Sequence, residues 1–167
     1  PAWDGSELVK EGVSRKRILE MNLEAARFYR SMLFDEKIGA PGREYFFEKR
    51  GLSPATIRHF GLGYAPPYGS MTLQYMKSRG FTEEELREGY FCGKNERGYY
   101  DYFRGRVMYP IIDVSGNVIA FGGRVLGDEK PKYLNTSDTP AFKKSRNLFA
   151  LNYAKNHCEN GFILCEG

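Results

Sequence analysis

Four short basic segments hold the residues best suited to chemistry. Phe103-Arg104-Gly105-Arg106 sets two guanidinium groups two residues apart, which in a strand puts them on one face. Guanidinium is planar and permanently charged, so it suits phosphate. Phe121-Gly122-Gly123-Arg124 places another cation beside two residues without side chains. By strand alternation Arg124 shares a face with Gly122, Ala120 and Val118, while Ile119, Phe121 and Val125 face a core. Small residues beside a cation let a ligand backbone come close to the sheet. Lys132-Tyr133-Leu134-Asn135-Thr136 offers a lysine for phosphate, a ring for stacking and an amide for a base or sugar. Phe142-Lys143-Lys144-Ser145-Arg146 adds a basic cluster. Each segment alone also fits something plainer: solvated edge charges, a glycine bulge, an ordinary edge strand, a charge run. Together, within 43 residues and with aromatics between them, they make the pattern of a single-stranded nucleic-acid groove.

Charge placement points the same way. From Arg104 to Arg146 there are eight Lys/Arg and four Asp/Glu, and the rest of the 167-residue chain holds seventeen of each sign. The whole net charge of +4 therefore lies in that one stretch, which implies a local anionic partner. Glu166 is a separate candidate. It follows the apolar run Phe162-Ile163-Leu164-Cys165, and a carboxylate at the end of a buried strand could move a proton or hold Mg²⁺. From position alone, a plain turn residue is the better reading.

These groups need a frame. The first thirteen residues show no periodicity and read as a linker. Apolar residues at Ile18, Met21, Ala25, Phe28, Tyr29 and Met32 predict a helix from Ser14 to about Lys37, broken by Ala40-Pro41-Gly42. Short helices follow over 43–49 and from Ser53-Pro54 to Phe60, then an extended piece at 61–67. More helical pieces are expected near 71–79 and 83–89, the second opened by a Thr82/Glu85 capping box. Val107–Val114 and Val118–Leu126 flank Ser115-Gly116-Asn117 as a hairpin, with a further strand near Lys132–Leu134. Thr139-Pro140 reads as a helix start, 148–155 as a helix, and Phe162–Cys165 as a short buried strand. Helices first and hairpins later give an α+β fold with a mainly antiparallel sheet.

Composition excludes several classes. Hydrophobic residues are 41% and charged residues 28%, as in a globular domain. No apolar run approaches the ~20 residues that span a bilayer, and the polar start shows no signal peptide. Cys92, Cys158 and Cys165, with His59 and His157, have no zinc spacing. A reduced, cytoplasmic protein with no membrane partner is expected.

In order and spacing these segments resemble the bacterial DnaG-type DNA primases. The resemblance is carried by Arg50-Gly51-Leu52-Ser53, Gly61-Leu62-Gly63-Tyr64-Ala65-Pro66-Pro67 and Phe103-Arg104-Gly105-Arg106-Val107-Met108-Tyr109-Pro110-Ile111. It continues through Ile119–Leu126, Pro131–Asn135 and Phe142-Lys143-Lys144, and covers roughly residues 14–167. It implies synthesis of short RNA primers on a single-stranded DNA template by a polymerase core. That core has a basic N-terminal subdomain, here 14–158, and a metal-binding Toprim subdomain whose first strand would begin at 159–167.

The resemblance puts Glu166 in the place of the catalytic, metal-binding glutamate. It makes Arg104, Arg106, Arg124, Lys132 and Lys144 contacts to template or nucleotide, with Arg50, Tyr133 and Asn135 as further positions. The implied partners are single-stranded DNA, ribonucleoside triphosphates, the RNA primer–DNA hybrid and, through regions outside this sequence, a replicative helicase. Mg²⁺ or Mn²⁺ would serve the complete enzyme, and zinc only a domain that this sequence lacks. One carboxylate cannot hold a two-metal site, so the isolated chain is expected to be inactive. The competing readings are a non-enzymatic single-strand-binding module, a piece of a phage or plasmid primase-helicase, and an α+β domain with an incidental basic face.

Overall fold

The computed structural model describes residues 12–165. The expected linker therefore lies almost wholly outside the described residues, and so does Glu166.

Helix α1 (Arg15–Phe34) opens at Ser14, whose hydroxyl accepts the Arg17 N–H. Its apolar stripe of Ile18, Met21, Ala25, Phe28 and Tyr29 is buried. It ends three residues earlier than the periodicity suggests. The Asp35 carboxylate takes the N–H groups of Lys37 and Ile38, and the Arg43 guanidinium collects the carbonyls of Leu33, Asp35 and Glu36. The expected break at Ala40-Pro41-Gly42 is in fact the start of helix α2 (Ala40–Arg43). Proline is tolerated there because first-turn N–H groups have no partner within the helix. The helix then widens over Glu44–Lys49, with the Arg50 N–H reaching back to the Tyr45 carbonyl.

Helix α3 (Pro54–Phe60) follows its Ser53 cap and stops at Gly61, left-handed at φ 63°. Strand β1 (Gly63–Ala65) leads to helices α4 (Met71–Ser78) and α5 (Glu83–Glu88), and the Thr82/Glu85 capping box forms. A hairpin that periodicity does not reveal comes next: β2 (Cys92–Asn95) and β3 (Gly98–Asp101). Then come β4 (Arg106–Ile112), β5 (Val118–Val125) and the short β6 (Tyr133–Asn135).

The main sheet is antiparallel in the order β1-β4-β5-β6, with Val107 opposite Arg124, Tyr109 opposite Gly122, and Tyr133 opposite Arg124. The fold is α+β, as expected. Helix α1 lies across one sheet face, where Tyr29 meets Phe121 edge-on at 5.4 Å. Gly63 allows that close approach, since a Cβ there would sit 2.7 Å from Tyr29. Part of the other face is covered by a second cluster of Tyr45, Phe46, Leu62 and Val107.

Three C-terminal expectations are corrected. Thr139-Pro140 starts no helix. Thr139 closes a tight turn with Phe142 through both backbone groups, and its hydroxyl takes the Ala141 N–H. A cap and a turn use the same hydroxyl-to-backbone bond, so the dipeptide alone does not separate them. The helix expected over 148–155 is reduced to one turn, α6 (Leu151–Ala154). Phe162, Ile163 and Leu164 are 55%, 93% and 74% exposed, with no strand partner among the described residues. A strand needs a neighbour to take its backbone bonds, and periodicity does not show whether one is present.

Asp101 is a buried tie between layers. Its two carboxylate oxygens accept the N–H groups of Thr72 and Leu73, capping α4 from a distant strand while Ser70 makes no side-chain cap. Burial raises its pKa to about 6 against the pull of those N–H groups. The unfolded value is ~3.9. The folded state therefore holds this proton more tightly, and its contribution to stability is lost as pH rises from ~4 through about 6. Asp101→Asn is expected to flatten that part of the stability profile in urea titrations. An unchanged slope over that window would refute the assignment. Glu85 acts in the opposite sense. The Arg17 guanidinium, 2.9 Å away, lowers its pKa, so its contribution disappears on acidification.

Candidate nucleic-acid interface

The sheet face left open beside Tyr45 gathers cations and rings. Strand alternation puts Gly122 and Arg124 of β5 outward, between Val107 and Tyr109 of β4 on one side and Tyr133 and Asn135 of β6 on the other. The Arg124 guanidinium carbon lies 4.9 Å from the ring centre of Tyr45 and 6.0 Å from that of Tyr133. Arg50 closes the group from the helical side. Its Nε donates to the Tyr45 hydroxyl at 2.9 Å, and its guanidinium lies 5.4 Å from that ring. The bond to Tyr45 holds the Arg50 pKa above its usual value. Burial, followed by neighbouring Tyr45, pushes the Tyr109 hydroxyl above its usual range, while Arg50 pulls it back. Tyr109 therefore stays neutral and can donate a hydrogen bond at physiological pH.

One donor on this face has no partner among the described residues. Arg124 Nη1 donates to the Val125 carbonyl at 2.8 Å, yet its Nε is buried without any hydrogen-bond partner. A buried unpaired donor is costly, and native structures seldom leave one without a use. Next to it a cavity of about 330 Å³ is lined by Tyr109, Ile111, Gly122, Tyr133, Asn135 and Phe149. Its floor is Gly122, where a Cβ would come within 3.0 Å of Asn135 Oδ1. A second hollow of about 360 Å³ joins Tyr133 and Asn135 to Lys144, and Lys132 Nζ lies 5.9 Å from the Tyr133 ring. A cationic, ring-lined, shallow face of this kind can hold phosphates and stack bases.

Six of the positions singled out in sequence thus converge: Arg50, Arg124, Lys132, Tyr133, Asn135 and Lys144. Two do not. Gly105 is left-handed at φ 59°, so Arg104 sits in a turn before β4 and does not alternate with Arg106. The expectation of one shared strand face is corrected. Arg104 is exposed. Arg106 is 5% exposed and lies on the opposite sheet face. It donates to the carbonyls of Gly123, Pro131 and Lys132 at 3.3, 2.8 and 3.2 Å.

The double glycine also splits in two. Gly123 makes room for the protein's own Phe103 and Arg106, at 2.9 and 3.1 Å from where a Cβ would be. Gly122 meets only Asn135 Oδ1, and both glycines line the cavity. Tyr45, Tyr109 and Phe149 belong to the site and are not evident from the basic motifs. Alternation could have found Tyr109, which shares the Val107–Ile111 face, but nothing local marks Tyr45. Among the described residues no three His, Cys, Asp or Glu side chains come together to hold a metal. Nor is any described helix long and apolar enough to cross a membrane.

Comparison with known proteins shows the family and the fold. Residues 28–155 match the family described as DNA primase catalytic core, N-terminal domain. A DNA primase of Clostridium acetobutylicum is 45% identical over 153 residues, which is 90% of this chain and 25% of that protein. A DNA primase of Deinococcus radiodurans is 43% identical over 94% of this chain and 27% of its own length. The chain thus spans about a quarter of the curated relatives it matches. Among solved structures, the RNA polymerase domain of Mycobacterium tuberculosis primase DnaG superposes with a TM-score of 0.80 at 35% identity, over 86% of this chain and 47% of that one. A DnaG primase catalytic domain bound to single-stranded DNA gives 0.77 at 38% identity, over 86% and 46%.

Proposed function

This chain belongs to the family of N-terminal domains of the DNA primase catalytic core, and we propose that it is the template- and nucleotide-holding part of a primase that makes short RNA primers on single-stranded DNA. The observation that carries this reading is the Arg124 Nε, without a partner among the described residues, on a guanidinium set between Tyr45 and Tyr133 next to a cavity that Tyr133, Gly122 and Gly123 line. Phosphoryl transfer is mostly positioning and charge stabilisation. In this reading Arg124 and Lys132 neutralise the incoming ribonucleoside triphosphate. Arg50, Lys144 and the exposed Arg104 hold the template strand or the primer–template hybrid. Tyr133 and Asn135 contact a base or sugar. Arg106, with its donors committed to carbonyls, positions the segment that carries Lys132 and Tyr133.

The described residues do not fit a resident metal, so no step is assigned to one held by them. Mg²⁺ or Mn²⁺ belongs to the complete enzyme, with Glu166 as this chain's contribution and 159–167 as the start of a Toprim subdomain. The flanking residues 1–13 serve as a linker, zinc belongs to a separate domain, and the enzyme works in the cytoplasm beside a replicative helicase.

The test is a titration of labelled single-stranded DNA at several salt concentrations. Each phosphate neutralised on single strands contributes about −0.7 to the slope of log affinity against log salt, so about four contacts give roughly −3. A slope near zero, or affinity unchanged in an Arg50→Ala/Lys144→Ala variant, sinks the template assignment.

A further inference from the structure

Tyr45 touches two cations of the open sheet face at once. Its hydroxyl accepts the Arg50 Nε–H at 2.9 Å. Its ring centre lies 5.4 Å from the Arg50 guanidinium and 4.9 Å from that of Arg124. The phenol itself is fixed. It is buried, meets Phe46 edge-on at 5.6 Å, and belongs to one apolar cluster with Leu33, Ile57 and Val107.

The backbone is shaped for this contact. Over Glu44–Lys49 the helix widens, and the Arg50 N–H bonds to the carbonyl of Tyr45, five residues back, at 3.0 Å. Five residues are about 1.4 turns of an α-helix, which would swing Arg50 off the Tyr45 face. A turn closed by an i→i+5 bond brings the fifth residue back over the first, and such turns recur at functional sites.

Tyr45 gives these arginines something that an acid could not. A carboxylate would hold a guanidinium and cancel its charge. A phenol and its ring hold it and leave the charge whole for a phosphate. Among the described residues neither Arg50 nor Arg124 lies within salt-bridge distance of a carboxylate, although Glu44 and Glu48 stand on the same widened turn as Tyr45. Arg50 is exposed and spends only its Nε on Tyr45, so both of its terminal amino groups remain available.

We infer that Tyr45 is a positioning residue for primer synthesis, a neutral clamp that sets Arg50 and Arg124 at a fixed spacing. The inference rests on the reading that Arg50 holds the template and Arg124 the triphosphate. Holding both in advance removes side-chain entropy that each would otherwise lose on gripping a phosphate. The hydroxyl serves Arg50 alone and the ring serves both, so the two parts of Tyr45 can be removed separately.

The experiment is a double-mutant cycle in the full-length enzyme, with Tyr45→Phe, Arg50→Ala and the pair, read as affinity for single-stranded DNA. Tyr45→Phe keeps the buried ring, so its thermal melt is expected to match the parent's. It should weaken template binding about three- to tenfold, part of what a hydrogen bond to a charged group contributes. In the Arg50→Ala background the same change should have no further effect. A residue that merely fills the core would cause the same loss in both backgrounds. Tyr45→Leu removes the ring as well. It should lower ribonucleotide kcat/KM about three- to tenfold beyond Tyr45→Phe, a loss absent when Arg124 is already alanine. If Tyr45→Leu melts early, the phenylalanine cycle still decides. Full template affinity in Tyr45→Phe, or losses that simply add in the pair, overturns the clamp. If Arg50→Ala and Arg124→Ala leave template affinity and primer synthesis as they were, the template- and nucleotide-holding reading fails with it. If those two lower them and Tyr45→Phe does not, the clamp alone falls.

Discussion

Arg124→Ala in the full-length enzyme is expected to lower primer synthesis by about 10²–10³-fold, the usual cost of removing one preorganised charge from a reacting phosphate. The fold should survive. Arg124 is only partly buried, makes one hydrogen bond to its neighbour's carbonyl, and leaves its Nε unpaired, so the change removes an unsatisfied donor along with a cation–π contact. Stability should move by less than about 1 kcal/mol. Arg124→Lys should rescue little, because an ammonium lacks the planar fork that lies against Tyr45 and Tyr133. Steady-state primer synthesis beside a thermal melt decides the matter. Full activity in the alanine variant would remove Arg124 from the site, and a collapsed melt would make its role structural.

Arg106→Met should act in the reverse pattern, with a large structural effect that reaches function only through the chain it holds. Arg106 has no carboxylate within salt-bridge distance among the described residues, and burial lowers its pKa. Its charge is stabilised by the three carbonyls of Gly123, Pro131 and Lys132. Hydrogen bonds to a charged group contribute roughly 1.5–3 kcal/mol, offset here by release of a desolvated cation, so a net loss of about 1–3 kcal/mol is expected. The larger effect is local. Segment 131–135 loses its anchor beneath β6, a strand of only three residues. Amide exchange there should speed up by about tenfold or more, and DNA affinity should fall through mispositioned Lys132 and Tyr133. Arg106→Lys should not restore protection, since one ammonium cannot span three carbonyls. Unchanged exchange at 131–135 in the methionine variant would contradict the positioning role.

Local signals recovered most of the frame. Ser14, Ser53 and the Thr82/Glu85 pair each mark a helix start because a cap is a bond between near neighbours. The hairpin around Ser115-Gly116-Asn117 follows from two apolar runs and a turn that admits left-handed backbone at Gly116. The β2–β3 hairpin escaped, because Gly93 and Gly98 interrupt its alternation and its core-facing residues include a carboxylate, Asp101.

The sequence by itself determined the chemistry available: the position of the positive charge, the arginines, rings and amide on successive strands, and the family they resemble. Alternation within β5 already put Arg124 and Gly122 on one face, since side-chain period in a strand is a local property. Only the tertiary structure decided which of these groups meet. It brought Arg50 and Tyr45 from a helix to stand over Arg124. It turned Arg104 away through a left-handed glycine, and it spent Arg106 on three backbone carbonyls. The reason is that an arginine's role depends on which acceptors lie within reach of its long side chain. Here those acceptors lie 17 to 26 residues away in sequence, so no local pattern could have shown them.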